Sequence, residues 1–186
     1  MTYTIDRYPV HLIDVVRTFD GSRITIRPSL PQDVELQRTF FRSLSPESRY
    51  YRFLTRIGEL PPAMAEAFAN VDYRRHLALI AEVFEGDSEI MVGEARYVVD
   101  AHKPDVAEFA MAVADDWHAR GIARALLDRL EREATACGLR SLVGDTLVTN
   151  AAMMGLARRA GFTVRASPDD ARLARLEKNL AVPKAA

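Results

Sequence analysis

The stretch Glu108–Ala123, which reads EFAMAVADDWHARGIA, constrains this chain more than any other. It begins with the apolar run Phe109–Val113, breaks at Asp115-Asp116, and enters a helical pattern through Arg120–Ala123. A turn of small residues at a helix start exposes unpaired backbone N–H groups at the positive end of the helix dipole. Such a turn binds phosphate groups. Because this turn follows a strand, the sequence predicts a phosphate ligand whose tail lies along that strand.

The composition favours one soluble globular domain. The chain has 186 residues, of which 48% are apolar, and a formal net charge of -1, so it is long enough for a sizeable core. Without a cationic excess we expect no nucleic-acid partner. No apolar run approaches the ~20 residues that span a bilayer, and no signal-peptide pattern opens the chain. We therefore expect a cytoplasmic protein with no membrane partner.

The cysteine and histidine content points away from disulfide and metal chemistry. The single cysteine excludes an internal disulfide framework. Cys137 falls on the apolar stripe of its predicted helix, so we expect a buried structural thiol. The four histidines show no metal-ligand spacing, and we expect no metal site.

The hydrophobic pattern predicts strands and helices in a three-layer α/β arrangement. Asp20-Gly21, between two apolar runs, indicates a β-hairpin. In the first half, the predicted elements are strands at 10–16 and 23–27, helices at 29–43 and after Ser45-Pro46 and Pro61-Pro62, and paired strands at 77–84 and 90–99. In the second half, they are a long helix at 121–137, a strand at 142–148, a helix after Asn150 and a strand after Gly161-Phe162. The segment at 171–180 reads equally as strand or helix. We expect an N-terminal strand and hairpin arm over 1–22, one domain over 23–180, and a frayed tail over 181–186.

The turn resembles the coenzyme A signature of the GNAT acetyltransferases, which reads Gln or Arg, two residues, Gly, one residue, Gly or Ala. Gly121 and Ala123 match that pattern, and His118 stands where the family usually has Gln or Arg. The strand, Asn-capped helix and Gly-Phe exit over 142–162 are also similar to the second half of a GNAT domain. The resemblance implies the α/β GNAT acyl-CoA N-acyltransferase fold, with a mixed, mostly antiparallel central sheet flanked by helices and an N-terminal β-hairpin. It also implies acetyl-CoA as co-substrate and no metal.

The signature suggests which residues bind coenzyme A. We expect the pyrophosphate to take backbone N–H groups from the turn, and backbone N–H around Val113 to stabilise the oxyanion. The resemblance implies that the pantetheine arm pairs with the strand and that Asn150 contacts the cofactor. The cofactor-binding candidates are Val113, His118, Ala119, Arg120, Gly121, Ile122, Ala123, Arg124 and Asn150. Alternatives stay open for three of them: His118 hydrogen-bonds a phosphate or caps the helix, and the two arginines add charge at the phosphates or are solvated helix residues.

Acetyl transfer to an amine requires a base, because a lysine amine has a pKa of about 10.4 and its neutralisation at pH 7 costs roughly 4–5 kcal/mol. Glu108 is the first catalytic candidate, since GNATs similar to this chain have a glutamate base at about this place on the fourth core strand; its alternative is an exposed glutamate in a salt bridge. Glu94 is the rival, but pairing with Arg96 on the same strand face would make it a poorer base. Asp115-Asp116 is typical of residues that shape a turn or cap a helix. Ala157 stands where many GNATs have a tyrosine acid.

Further motifs are similar to the GNAT domain of the bacterial Pat-type protein lysine acetyltransferases, over about residues 8–165. They are Tyr8-Pro9, Ile26-Arg27-Pro28, Leu44–Phe53, Asp72-Tyr73 and Val98–Asp100. The resemblance implies a protein lysine as acceptor, and AMP-forming acyl-CoA synthetases are among the family's targets. Two alternatives remain, a small amine as acceptor and a sensor that binds acyl-CoA without turnover. We expect a monomer or a homodimer.

Overall fold

Within residues 8–180, eight strands form one sheet in the order β1-β2-β3-β4-β5-β6-β8-β7. The structure is a computed structural model that describes residues 8–180, so the predicted tail over 181–186 lies outside the described residues. The strands are β1 (Asp14–Arg17), β2 (Arg23–Pro28), β3 (His76–Glu85), β4 (Ser88–Val99), β5 (Val106–Val113), β6 (Ser141–Leu147), β7 (Thr163–Ala166) and β8 (Leu173–Asn179). Every neighbouring pair is antiparallel except β5 and β6, which run parallel. The mixed, mostly antiparallel sheet is therefore confirmed.

In the described part of the chain, five α-helices cover the two faces of this sheet. They are α1 (Val34–Ser43), α2 (Pro46–Phe53), α3 (Pro62–Ala69), α4 (Ile122–Ala136) and α5 (Ala151–Arg159), with short 3-10 turns at Val10–Leu12, Pro31–Asp33 and Asp115–Trp117. The larger apolar core joins α4 and α5 to one face, through side chains such as Leu126 and Leu156. A second core, built around Phe40 and Phe41, joins α1 and α3 to the other face. The helices thus form the outer two of three layers.

The structure differs from the predicted elements mainly near the N-terminus. The strand predicted at 10–16 begins only at Asp14, because a 3-10 turn occupies Val10–Leu12 after Pro9. The helix predicted at 29–43 begins at Val34, because Asp33 Oδ2 accepts a hydrogen bond from the Leu30 N–H at 2.7 Å and holds a 3-10 turn there. The undecided segment at 171–180 is a strand, β8, paired with β6 along its whole length.

The prediction of a buried thiol at Cys137 is wrong. Helix α4 ends at Ala136, so Cys137 is the residue that caps the helix and no longer follows the apolar stripe. Its side chain is exposed, and its sulfur lies 3.7 Å from the Tyr97 hydroxyl. Ala134 and Leu139, on either side of the helix end, take the buried positions instead.

Candidate active site

Strands β5 and β6 separate after a short stretch of pairing. Their parallel register covers only three pairs, the last of which is Glu108 with Val143. Beyond it, β5 stays paired with β4 as far as Val113, and β6 stays paired with β8 as far as Leu147. The two strands therefore diverge into a split that opens toward the turn after β5.

The backbone of β5 presents an open edge to this split. The Ala114 N–H donates to Val92 O on β4 at 2.8 Å. Because alternate residues of a strand direct their peptide groups to the same neighbour, Ala112 also faces β4, whereas Met111 and Val113 direct their N–H and C=O groups into the split. An open strand edge of this kind accepts an extended chain as an added strand.

A glycine stands where the strands part. A Cβ atom on Gly144 of β6 would lie 2.9 Å from Phe109 O and 3.0 Å from a Phe109 ring atom. Real side chains do not approach a backbone oxygen so closely, and the backbone cannot yield as a flexible side-chain end can. The absence of a side chain at Gly144 therefore lets β5 and β6 meet at the apex of the split.

We expect Gly144→Ala to lower the free energy of unfolding by about 1–3 kcal/mol, because the new methyl group overpacks the apex. Urea unfolding of the variant measures the effect. The matched control is Gly58→Ala, because a Cβ at Gly58 would meet no described atom within 4 Å; we expect it to change stability by less than about 0.5 kcal/mol. Equal effects of the two substitutions would mean that the apex has room to spare.

The turn after β5 uses two left-handed residues to begin α4. Ala119 has φ +59° and Gly121, the N-cap residue, has φ +92°. No described side chain caps this helix, so the first N–H groups of α4 are left for a ligand or water. The anion-binding turn predicted from the sequence therefore has the geometry that such a site needs.

A cleft of about 820 Å³ joins the split to this turn. Its volume is within the range of small-molecule and cofactor sites. Eight of the predicted cofactor residues line it: Val113, His118, Ala119, Gly121, Ile122, Ala123, Arg124 and Asn150. The Asn150 side chain also caps α5, since Oδ1 accepts from the Met153 N–H at 3.0 Å. Arg120 and Glu108 are not among the lining residues.

The Arg120 guanidinium points to the β1–β2 hairpin instead of the cleft. Its Nη1 lies 2.6 Å from Asp20 Oδ2, and its Nη2 donates to Asp116 O at 2.8 Å. Hydrogen bonds, chiefly from the Thr18 hydroxyl, lower the pKa of Asp20 to about 2, so this partner is ionised at neutral pH. The hairpin and the turn therefore form one assembly.

His118 joins the two ends of the turn. Its Nε2 lies 2.9 Å from Val113 O. Because a carbonyl oxygen only accepts, this contact requires a proton on Nε2. His118 does not cap α4, since Gly121 is the N-cap residue; that alternative is wrong.

Glu108 is exposed and stands near the cleft. Glu108, Ala110 and Ala112 share one face of β5, and both alanines line the cleft. Glu108 is two residues from Ala110, about 7 Å at the usual strand rise. The small alanine side chains leave the surface between this carboxylate and the split uncovered.

Glu94 is fully buried. Arg52 Nη2 donates to Glu94 Oε1 at 3.0 Å, and Arg96 Nε donates to the same oxygen at 3.1 Å. Burial acts to raise the pKa of Glu94, but Arg96 and Arg52 outweigh burial and hold the pKa below its usual value. Glu94 is therefore an ionised and shielded group that is poorly suited to accept a proton from a substrate.

Asp115 ties the turn to the N-terminal end of α2. Its carboxylate accepts hydrogen bonds from the Ser45 N–H at 2.9 Å, the Ser45 hydroxyl at 2.8 Å and the Ser48 hydroxyl at 2.7 Å. Burial opposes these bonds, but they prevail and lower the pKa of Asp115. Asp115 therefore fastens one wall of the cleft to the other, which the local pattern around it does not indicate.

Three aromatic residues that line the cleft were not predicted from the sequence as site residues: Phe19, Tyr51 and Trp117. The Tyr51 hydroxyl donates to Glu47 Oε1 at 2.9 Å and lies 3.4 Å from Thr149 O. The position of the usual family tyrosine, Ala157, is fully buried. The Asp20-Gly21 pattern predicted the hairpin that carries Phe19, but not the position of its ring at the cleft.

The model of the acetyltransferase (GNAT) family matches residues 35–162. The chain therefore belongs to the GNAT acetyltransferase family and is an N-acyltransferase. GNAT enzymes use acetyl-CoA, and the uncapped helix start, open strand edge and cleft described above fit such a ligand. No helix among residues 8–180 is both long and apolar enough to cross a bilayer.

Two of the three relatives described next are Pat acetyltransferases. The chain is 33% identical over 151 residues to Acetyltransferase PA5475 of Pseudomonas aeruginosa, a match that covers 81% of each chain. It is 32% identical over 146 residues to Acetyltransferase Pat of Mycolicibacterium smegmatis, which covers 78% of this chain and 42% of Pat. The GNAT domain of S. lividans PAT superposes with a TM-score of 0.85 at 28% identity, over 94% of this chain and 100% of that domain. The predicted resemblance to the GNAT domain of Pat-type enzymes is thereby confirmed.

Proposed function

We propose that this enzyme transfers the acetyl group of acetyl-CoA to the side-chain amine of a protein lysine, with Glu108 as general base. The proposal of acetyl transfer rests on the split between β5 and β6, which leads to the uncapped start of α4. The protein lysine as acceptor is what the resemblance to Pat-type enzymes implies, and the similarity to the GNAT domain of S. lividans PAT extends over 94% of the chain.

The binding roles follow the walls of the cleft. Backbone N–H groups of residues 119–124 hold the pyrophosphate, since the His118 N–H already donates to Asp115 O, and the edge of β5 around Val113 pairs with the pantetheine arm. Arg120 acts here through its backbone, because Asp20 engages its guanidinium. The Asn150 amide nitrogen remains for the cofactor, because the amide oxygen already caps α5.

The chemistry needs one proton acceptor and one proton donor. Glu108 takes the proton of the incoming ammonium, directly or through one water. The amine nitrogen then bonds to the acetyl carbon, and the C–S bond breaks as the tetrahedral adduct collapses. The nitrogen loses its second proton, which water or the Tyr51 hydroxyl relays to the leaving thiolate. N–H groups at Val113 stabilise the oxygen on which charge develops. Acetyl-CoA supplies the activated acetyl group.

Two further carboxylates on the cleft walls favour a cationic acceptor. Glu47 lies on α2, and Asp145 lies on β6, where its Oδ2 is 3.3 Å from Arg175 Nη1. With Glu108 near the cleft, they place three carboxylates around the approach to the split, of which Asp145 is paired with Arg175. The field of these carboxylates attracts an ammonium group before its proton is removed.

The test is thiol release from acetyl-CoA with two sets of acceptors. The first is an AMP-forming acyl-CoA synthetase, with a matched variant whose catalytic lysine is replaced by arginine; the second is a panel of small primary amines. We expect release with the intact synthetase, a mass gain of one acetyl group on it, and neither with the variant. Turnover with small amines alone would make this a metabolite enzyme, and coenzyme binding without any turnover would make it a sensor.

A further inference from the structure

An exposed aromatic ring stands at the rim of the cleft. Phe19, at the tip of the β1–β2 hairpin, is 84% exposed, more than any other large apolar side chain in residues 8–180. It nevertheless lines the cleft. Its ring atoms lie 3.1 Å and 3.2 Å from the position that a Cβ on Gly121 would occupy, so the ring lies directly against the start of α4.

The hairpin tip is held in place from both sides. The Phe19 N–H donates to Arg120 O at 3.1 Å, and the next residue, Asp20, forms the ion pair with the Arg120 guanidinium. The Gly21 N–H donates to Thr18 O at 3.0 Å and closes the hairpin turn. The ring of Phe19 is therefore positioned by its own backbone at a fixed place beside the anion-binding turn.

A ring in this place suits one part of the coenzyme. Coenzyme A carries its adenosine on the far side of the pyrophosphate from the pantetheine arm. If the pyrophosphate occupies the turn and the arm follows β5, the adenosine leaves the turn at the rim of the cleft. An aromatic side chain there offers a stacking surface to a base. Asp20 already pairs with the Arg120 guanidinium, so what the hairpin tip itself offers an adenosine is the face of the Phe19 ring.

We propose that Phe19 and the hairpin tip form the nucleotide subsite of the coenzyme, with the Phe19 ring packed against the adenine base. The proposal rests on the acetyl-CoA-dependent function proposed above. It gives the described part of the N-terminal arm, which supplies the edge strand β1, a direct part in binding. It also gives a role to the exposed Phe19 ring, which lies against the start of α4.

The test compares two ligands that differ by the nucleotide, coenzyme A and 4′-phosphopantetheine. Trp117, the single tryptophan of the chain, lines the cleft and reports binding of both by its fluorescence. Phe19→Ala is expected to raise the Kd of coenzyme A by about 5- to 100-fold. The Kd of 4′-phosphopantetheine should change by less than about 2-fold, because that ligand has no base to stack.

Two matched variants complete the design. Phe84→Ala removes another exposed phenylalanine, 57% exposed and absent from the cleft lining, and should change neither Kd. Phe19→Tyr keeps the ring and should preserve coenzyme A affinity. The proposal is overturned if Phe19→Ala weakens both ligands equally, which would put the ring against the pantetheine arm, or if it weakens neither. Failure of the wild type to bind coenzyme A would instead refute the proposed function.

Discussion

Glu108→Gln is expected to lower kcat by about 10²- to 10⁴-fold, the usual contribution of a general base. Glutamine has the same shape and accepts a hydrogen bond, but it cannot take the proton of the acceptor ammonium. Coenzyme affinity should stay unchanged, because Glu108 is not part of the cleft lining. Initial rates at saturating acetyl-CoA measure the first effect, and Trp117 fluorescence measures the second.

Glu177→Gln provides the matched control. Glu177 is exposed on β8, in the same row and on the same sheet face as Glu108, and two strand spacings, about 10 Å, separate them. We expect this variant to keep wild-type kcat. If the two variants lose activity equally, the carboxylates act through the field of the surface, and the base must be sought elsewhere. A raised KM with unchanged kcat for Glu108→Gln would assign Glu108 to acceptor binding.

Glu94→Gln is expected to lower the free energy of unfolding by about 3–5 kcal/mol at pH 7. The substitution leaves the guanidinium groups of Arg52 and Arg96 buried, 7% and 4% exposed, without their counter-charge. Urea unfolding measures the loss. Glu89→Gln, on the same strand but 49% exposed, is the control, and we expect a change below about 1 kcal/mol. A loss below about 1 kcal/mol for Glu94→Gln would show that the arginines find other partners.

The effect of Glu94→Gln should also depend on pH in a defined direction. The two arginines lower the pKa of Glu94 in the folded protein despite its burial. A carboxyl whose pKa is lowered by folding contributes stability above its unfolded pKa, about 4.3, and loses that contribution as the pH falls through its folded pKa. The stability difference between wild type and variant should therefore be constant near neutral pH and shrink below about pH 4.3.

The parts of the molecule that depend on short stretches of sequence could be predicted. The turn into α4 is one, because Gly121 and the apolar spacing after it act locally. The Asp20-Gly21 hairpin is another, since its turn requires a residue at positive φ, and Gly21 has φ +87°. The overall topology came from resemblance, because the pairing of β5 with β6 joins segments that no local pattern connects.

The rest depends on contacts between residues far apart in the chain. The Arg120 side chain is directed by Asp20, 100 positions away, so a pattern confined to the turn could offer it only the phosphates or solvent. Asp115 bonds to Ser45, 70 positions away, and no signal near either residue indicates the other. The 171–180 segment had no decisive period, and its ladder with β6 made it a strand.

The hydrogen bonds from Ser45 and Ser48 to Asp115 connect the turn after β5 with α2 on the opposite wall of the cleft. Asp115 lies in the turn that we propose binds the coenzyme, and its carboxylate is hydrogen-bonded to the N-terminal end of α2, the helix that carries Glu47 and Tyr51. If coenzyme binding displaces the turn, these three hydrogen bonds transmit the displacement to α2. If the bound coenzyme changes the affinity for the acceptor by some factor, the bound acceptor must change the affinity for the coenzyme by the same factor. We therefore expect any coupling between the two substrates to depend on this contact between the turn and α2.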